Sequence, residues 1–229
     1  MKIAVMGAMP EEIAPILEKA GIYSTHDIAG NRYYTCRYDR HDLIIAYSKI
    51  GKVFSALTAA TMIEKFGAQI MLFSGVAGAI SPRLKIGDLI VATKLCQHDL
   101  DITAFGHPYG YVPEGAKFVE ADTELIRKAQ EVASGMGMTL HTGVIATGDQ
   151  FVADPERKTW IAETFAADAL EMEGASVAVV CNALDVPFFI LRAISDAADM
   201  DAGFDFDSFL ESSAKVSADF VMKMVEHID

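Results

Sequence analysis

Three stretches of this chain place carboxylates where they could do acid–base work. "GAMPEE", residues 7–12, sets Glu11 and Glu12 at a helix start behind an apolar run, with Pro10 near the first turn. "ALEMEGAS", residues 169–176, puts Glu171 and Glu173 on either side of Met172 in an otherwise small and apolar stretch. "RAISDAAD", residues 192–199, carries Ser195 and Asp196 at the end of a strongly apolar run that also contains Arg192. A carboxylate just beyond a core strand can act as a general acid or base in a cleft. A buried carboxylate is costly unless paired or hydrogen-bonded, so Glu171 or Glu173 needs a specific partner. Plainer readings stand beside these. Glu11 and Glu12 would complement a helix dipole wherever they pointed, and Asp196 would be a good N-cap for a following helix.

Three further stretches could shape a pocket. "FSGVAGAI", residues 73–80, has small residues and two glycines that let a backbone approach a ligand closely, but it is neither a dinucleotide fingerprint nor a triphosphate loop. "GDQFV", residues 148–152, sets Phe151 in a polar turn, where it is either a stacking surface for a flat ligand or a loop residue tucked into the core. "QHDLDITAFGHPYGYVP", residues 97–113, holds His98, Asp99, Asp101 and His107 among aromatic residues. It lacks a third or fourth ligand at workable spacing, so no metal is expected, and its Phe105, Tyr109 and Tyr111 suit a subunit interface or a pocket lid. The acidic run from Asp199 has its glycine at the fifth position rather than the sixth, which excludes a calcium loop.

The elements that must position these groups alternate along the chain. Apolar, β-rich runs predict strands over 2–6, 33–38, 42–48, 69–75, 87–95, 140–146, 168–172 and 187–194. Helical periodicity predicts helices over 10–20, 52–66, 122–136, 155–164, 173–184 and 206–227. The last of these carries Phe206, Leu210, Ser213, Val216, Phe220 and Met224 on one face, with Ile228 continuing it. Such alternation implies one α/β domain over residues 1–229, with a central mixed, largely parallel β-sheet flanked by helices. Ligands in such sheets bind beyond the carboxyl ends of the strands, where all three carboxylate stretches fall.

Composition removes several function classes. The 229 residues are 52% hydrophobic, enough for a sizeable core, and the net charge of −13 offers no basic patch for nucleic acid or an anionic membrane. Mean hydropathy is +0.25 and the isoelectric point is near 4.8. Cys36, Cys96 and Cys181 are too widely spaced for a zinc motif and odd in number, which reads as three reduced thiols. With no signal-like segment and no apolar run near the ~20 residues a membrane span requires, the expected location is the cytoplasm.

Taken in order, "GAMPEE", "SKIGKV", "FSGVAGA", "TAFGHP", "TGDQFV", "EMEGASVA" and "LRAISDAAD" resemble the methylthioadenosine/S-adenosylhomocysteine nucleosidases of the nucleoside phosphorylase superfamily, over roughly residues 1–225. "AYSKIGKV", "FSGVAGA" and "GDQFV" are also similar to the subgroup that cleaves 6-amino-6-deoxyfutalosine on a menaquinone route. The resemblance implies a nucleoside phosphorylase-like fold, a homodimer, an adenine nucleoside substrate, no cofactor, and roles in methionine salvage and removal of methyl-cycle by-products. It implies that Glu12 activates water and that Asp196, supported by Ser195, protonates the purine at N7. Glu173 would hold the ribose hydroxyls beside Met172, with Ser74 and Arg192 near the ribose. Phe151 would stack on adenine while the Val152 backbone reads its edge, with Ala77 and Gly78 close by. Met9, Ile50 and Phe206 would line the 5′ pocket, joined by Ile102, Phe105 and Pro113 of a neighbouring subunit. His107 stands where related enzymes often have Tyr.

That set suits a dissociative cleavage, which requires an acid for the leaving base, a base for water and negative charge near the cation-like sugar. As an acid, Asp196 must hold a proton that a free aspartic acid, titrating near about 3.9, has lost by neutral pH. Crowding by Glu12 and Glu173 would favour this. Two alternatives differ in kind. A phosphorylase would require a cationic pocket for phosphate, where Arg192 is the one obvious cation at a predicted strand end. A nucleoside sensor would have no reason to retain all three carboxylates.

Overall fold

The computed structural model describes residues 1–198 and 202–229, the side chains of Phe204 and Asp205 excepted. Asp199, Met200 and Asp201, which open the acidic run considered above, lie outside the described residues. The strands are β1 (Lys2–Gly7), β2 (Ser24–Ile28), β3 (Asn31–Tyr38), β4 (His41–Tyr47), β5 (Ile70–Ala79), β6 (Leu89–Gln97), β7 (Val119–Glu120), β8 (Leu140–Thr147), β9 (Ala169–Glu171) and β10 (Phe188–Asp196). The helices are α1 (Pro10–Ala20), α2 (Lys52–Glu64), α3 (Thr123–Gly135), α4 (Pro155–Phe165), α5 (Gly174–Ala183) and α6 (Ala202–His227), with a 3-10 turn at Thr103–Phe105.

Strand order in the single mixed sheet is β10-β6-β8-β9-β5-β1-β4-β3-β2, and β10 also pairs with β5. The longest ladders, β5–β10 and β6–β8, are parallel, as is β1–β4. Strands β5, β10, β6, β8 and β9 therefore close into a ring, from which β1, β4, β3 and β2 extend as an open wing.

Strand side chains alternate between two faces. Ala4, Met6, Met71, Phe73, Phe188 and Ile190 enter one core layer with Met62 of α2 and Val177 of α5. Ile3, Val5, Leu72, Phe189 and Leu191 enter the other, with Ile13 of α1, Val132 of α3 and Phe220 of α6. A strand covered on both faces reads as an unbroken apolar run, which is why β1, β5 and β10 are so apolar in sequence. A smaller cluster around Ile161 and Phe165 of α4 includes Val152.

The boundaries differ from expectation in instructive places. Strand β2, STHDI, is almost wholly exposed and gives no apolar alternation, so the sequence did not predict it. Strand β5 continues to Ala79, so "SGVAGA" is buried strand rather than a loop after one. Strand β10 likewise runs through Ser195 and Asp196, with a bulge between Ile194 and Asp196. Helix α6 starts at Ala202, four residues before the predicted start, and buries Ser213, Phe220 and Met224, with Ile228 beyond its end.

Candidate active site

The carboxyl ends of β1, β5, β9 and β10 meet at a cavity of about 310 Å³, whose wall includes Glu12, Glu173 and Asp196. Glu12 is the third residue of α1 and is buried. Its Oε2 accepts the backbone N–H groups of Ala8 (2.5 Å) and Met9 (3.1 Å), and its Oε1 accepts that of Val76 in β5 (3.0 Å). Two of these donors are amides at the start of α1, the groups that elsewhere bind anions. Burial lifts the Glu12 pKa above its ordinary 4.5, against the pull of Arg192 and the three N–H groups. Ionised Glu12 therefore destabilises the fold, an effect absent below pH 4.5 that grows as pH rises through the raised value.

Asp196 accepts hydrogen bonds from Ser195 Oγ (2.9 Å) and the Ala198 N–H (2.8 Å). Glycines in β5 make room for the carboxylates. A Cβ on Gly75 would lie 2.8 Å from Glu12 Oε1, and one on Gly78 would lie 2.7 Å from Asp196 Oδ1. Gly78→Ala is therefore expected to displace the Asp196 carboxylate and lower kcat/KM by about 100-fold with KM for substrate less affected, as steady-state kinetics would show.

Glu173 takes the N-cap position of α5, and its Oε1 accepts the Gly51 N–H at 2.8 Å. Burial and neighbouring Glu171 raise its pKa, opposed by that N–H and by Arg192. Glu171 is the carboxylate with the strong partner. Its Oε2 accepts Arg192 Nη2 (2.6 Å) and the N–H groups of Gly174 (2.7 Å) and Glu173 (3.1 Å), while Oε1 accepts Thr147 Oγ1 (2.5 Å).

Arg192 is thus not in the cavity wall. It lies behind the wall with 1% of its surface exposed and its guanidinium 4.0 Å from the Phe73 ring centroid. From there its charge lowers the pKa of both Glu12 and Glu173. Arg192→Met would leave Glu171 buried without its counter-ion, and should lower unfolding stability by about 3–5 kcal/mol in a denaturant titration.

The wall brings together Met9, Ile50, Ala77, Gly78, Phe151, Val152, Met172, Ser195 and Phe206 from the set expected from sequence. Phe151 is half exposed and meets Phe206 edge-to-face, with centroids 5.7 Å apart. Ser74 lies behind the wall, bonded to Ser217 Oγ at 2.6 Å. Ile102, Phe105, His107 and Pro113 are outside the cavity of the single chain. Phe105 is 81% exposed, and His107 stacks on Tyr111 at 4.9 Å. Ala8, Val76, Gln150, Leu170 and Glu171 also line the cavity and were not singled out as site residues. All five lie inside stretches whose composition had already drawn attention: Ala8 in "GAMPEE", Val76 in "FSGVAGAI", Gln150 in "GDQFV", and Leu170 and Glu171 in "ALEMEGAS". Among the described residues no group of three or more His, Cys, Asp or Glu side chains could hold a metal ion.

Comparison with known proteins places the chain in a family. The family model described as "Phosphorylase superfamily" matches residues 2–226. An aminodeoxyfutalosine nucleosidase from Campylobacter jejuni is 58% identical over 228 residues, covering 100% of both chains. A 5′-methylthioadenosine/S-adenosylhomocysteine nucleosidase from Anoxybacillus flavithermus is 36% identical over 231 residues, again covering 100% of both. The structure of a futalosine hydrolase mutant of Helicobacter pylori superposes with a TM-score of 0.98 at 50% identity, covering 100% of each chain.

Proposed function

The chain belongs to the phosphorylase superfamily and is an N-glycosyl hydrolase of adenine nucleosides, and on that basis we propose that Glu12 and Asp196 are its catalytic base and acid. In this reading Asp196 gives a proton to N7 of the adenine as the bond from N9 to the sugar C1′ breaks. The bonding electrons leave with the base. Glu12 removes a proton from the water that adds to C1′, so the products are adenine and the free sugar. Glu173 bonds the ribose hydroxyls beside Met172, and its negative charge stabilises the cation-like sugar more than the resting one. Phe151 stacks on the adenine, and the Val152 backbone reads its edge. Met9, Ile50 and Phe206 contact the 5′ substituent.

One observation carries the choice of water over phosphate. The N–H groups at the start of α1 and at Val76 are already taken by the Glu12 carboxylate. A phosphate there would meet a negative charge instead of free donors, and the nearest buried cation, Arg192, is engaged by Glu171. The assay that tests this follows adenine and the sugar product from 5′-methylthioadenosine, with and without phosphate. Free methylthioribose at a phosphate-independent rate is expected, and a phosphate-dependent sugar 1-phosphate would overturn the reading. The full-length similarity to an aminodeoxyfutalosine nucleosidase supports 6-amino-6-deoxyfutalosine as a substrate alongside 5′-methylthioadenosine and S-adenosylhomocysteine.

The continuous sheet supports treating residues 1–229 as one nucleosidase domain. A homodimer belongs to the same reading, with Ile102, Phe105, His107 and Pro113 reaching a partner's pocket. Its support is the outer face of α2, where Val53, Phe54 and Leu57 are exposed, together with exposed Ile50 and Phe105. Three unpaired cysteines, two of them buried, support a cytoplasmic location. Among the described residues no helix is long and apolar enough to cross a membrane.

A further inference from the structure

Three segments distant in sequence meet beside the pocket through charged groups that the reaction itself does not use. Lys52 opens α2, Asp99 follows β6, and Asp149 belongs to the turn that carries Phe151. Lys52 Nζ donates to Asp99 Oδ1 at 2.7 Å and to Gln97 Oε1 at 3.2 Å. The other oxygen of Asp99 accepts the Asp149 N–H at 2.9 Å. Asp149 Oδ1 in turn accepts the Lys52 N–H at 2.8 Å. Helix α2 has no cap from its own N-cap residue, Gly51, so this carboxylate from another loop takes the capping role. Gly51 has a φ of 99°, and a Cβ there would lie 3.0 Å from Asp149 Oδ1, so a larger residue would be strained and crowded.

The neighbouring N–H, that of Gly51, donates to Glu173. Two consecutive amides thus bond two carboxylates, one on the turn bearing Phe151 and the other facing the sugar. The Lys52–Asp99 pair is largely shielded, with side-chain exposures of 18% and 14%, so it holds a defined geometry better than a surface pair would. Buried His98 closes the same knot from below. Its N–H bonds the Thr147 carbonyl at 2.8 Å, and its ring lies where a Cβ on Gly148 would fall.

We propose that Lys52, Asp99 and Asp149 are positioning residues that hold the Phe151 turn in register with Glu173, so that adenine and ribose are gripped at a fixed separation. This rests on the reading that Phe151 contacts adenine and Glu173 the ribose. Loosening the knot should affect both ends of the substrate, although none of the three side chains lines the cavity.

The test measures kcat and KM for 5′-methylthioadenosine, calorimetric affinity for adenine alone, and melting temperature. It compares Lys52→Met and Asp149→Ala with the conservative variants Lys52→Arg and Asp149→Asn, and with Phe151→Ala. Asp149→Ala should lose roughly 10-fold in both kcat and adenine affinity, and Lys52→Met roughly 3- to 10-fold. Asp149→Asn keeps an oxygen for the Lys52 N–H, and Lys52→Arg keeps the ion pair, so both should recover most of the loss. Should Asp149→Ala fail to fold, Lys52→Met decides, because it retains every backbone bond of the knot. Wild-type kcat and adenine affinity in folded Lys52→Met would overturn the proposal. So would losses that follow melting temperature alone, without rescue by the conservative variants. If Phe151→Ala binds adenine normally, the underlying reading of that residue fails instead. A weakened Phe151→Ala beside unaffected knot variants would refute the knot alone.

Discussion

Asp196→Asn is expected to lower kcat by about 10³-fold, near the middle of what a positioned general acid contributes. The substitution preserves size and an acceptor for either the Ser195 hydroxyl or the Ala198 N–H, so adenine affinity and melting temperature should change little. Its signature lies in the pH dependence. If Asp196 delivers the proton, wild-type kcat/KM declines on the alkaline side as that proton is lost, and Asp196→Asn lacks this decline. An Asn variant whose profile has the wild-type shape would remove Asp196 from the acid role. A substrate with a better leaving base should recover part of the lost rate, since it depends less on protonation.

Glu12→Gln is expected to be comparably severe, at about 10²–10⁴-fold in kcat, for a reason visible in the hydrogen bonds. The wild-type carboxylate accepts N–H groups on both of its oxygens. An amide accepts on one side only, so its nitrogen would face either Val76 N–H or the Ala8 and Met9 pair, donor against donor. The variant therefore removes the proposed base and disturbs its seating together. The wild type should lose activity on the acid side as Glu12 takes up a proton, at a pH above the ordinary 4.5 because burial raises it. Glu173 is also shifted upward, so two groups shape that acid limb. Glu12→Gln should leave a shallower limb due to Glu173, and Glu173→Gln should leave the one due to Glu12. An unchanged acid limb in Glu12→Gln would dismiss Glu12 as the base. In the proposed role, raised basicity would also make Glu12 a better proton acceptor once ionised, so the same burial that destabilises the fold would serve the chemistry.

Much of the framework was legible because its causes are local. The apolar runs of β1 and β10 announce strands covered on both faces, and Pro10 with Glu11 and Glu12 announces a helix start. What escaped the sequence has non-local causes. "SGVAGA" looked like a loop because small residues and glycines usually mark one. In the fold they are small because carboxylates from α1 and β10 lie against the strand. Arg192 looked like a cation facing the ligand. Its partner is Glu171, brought beside it by the way β9, β5 and β10 pair, which no spacing between positions 171 and 192 encodes. Glu171 and Glu173 both line the cavity, and it is Glu171 that has the buried ionic partner expected of this stretch. Strand β2 was invisible because an exposed strand at the sheet's end has no apolar face to alternate.

The ring formed by β5, β10, β6, β8 and β9 has a consequence for how the enzyme can fail. A strand with a free edge can peel away and take its residues with it, as β2 can at the outer end of the wing. None of the ring strands has such an edge, and β10 carries Asp196 while β5 anchors Glu12 through Val76. Peeling of the wing's free edge therefore does not open the strands that carry Asp196 and Val76. Asp196, the Val76 seat of Glu12 and the hydrophobic core around them belong to one cooperative unit, and this part of the cavity should persist for as long as the fold itself does.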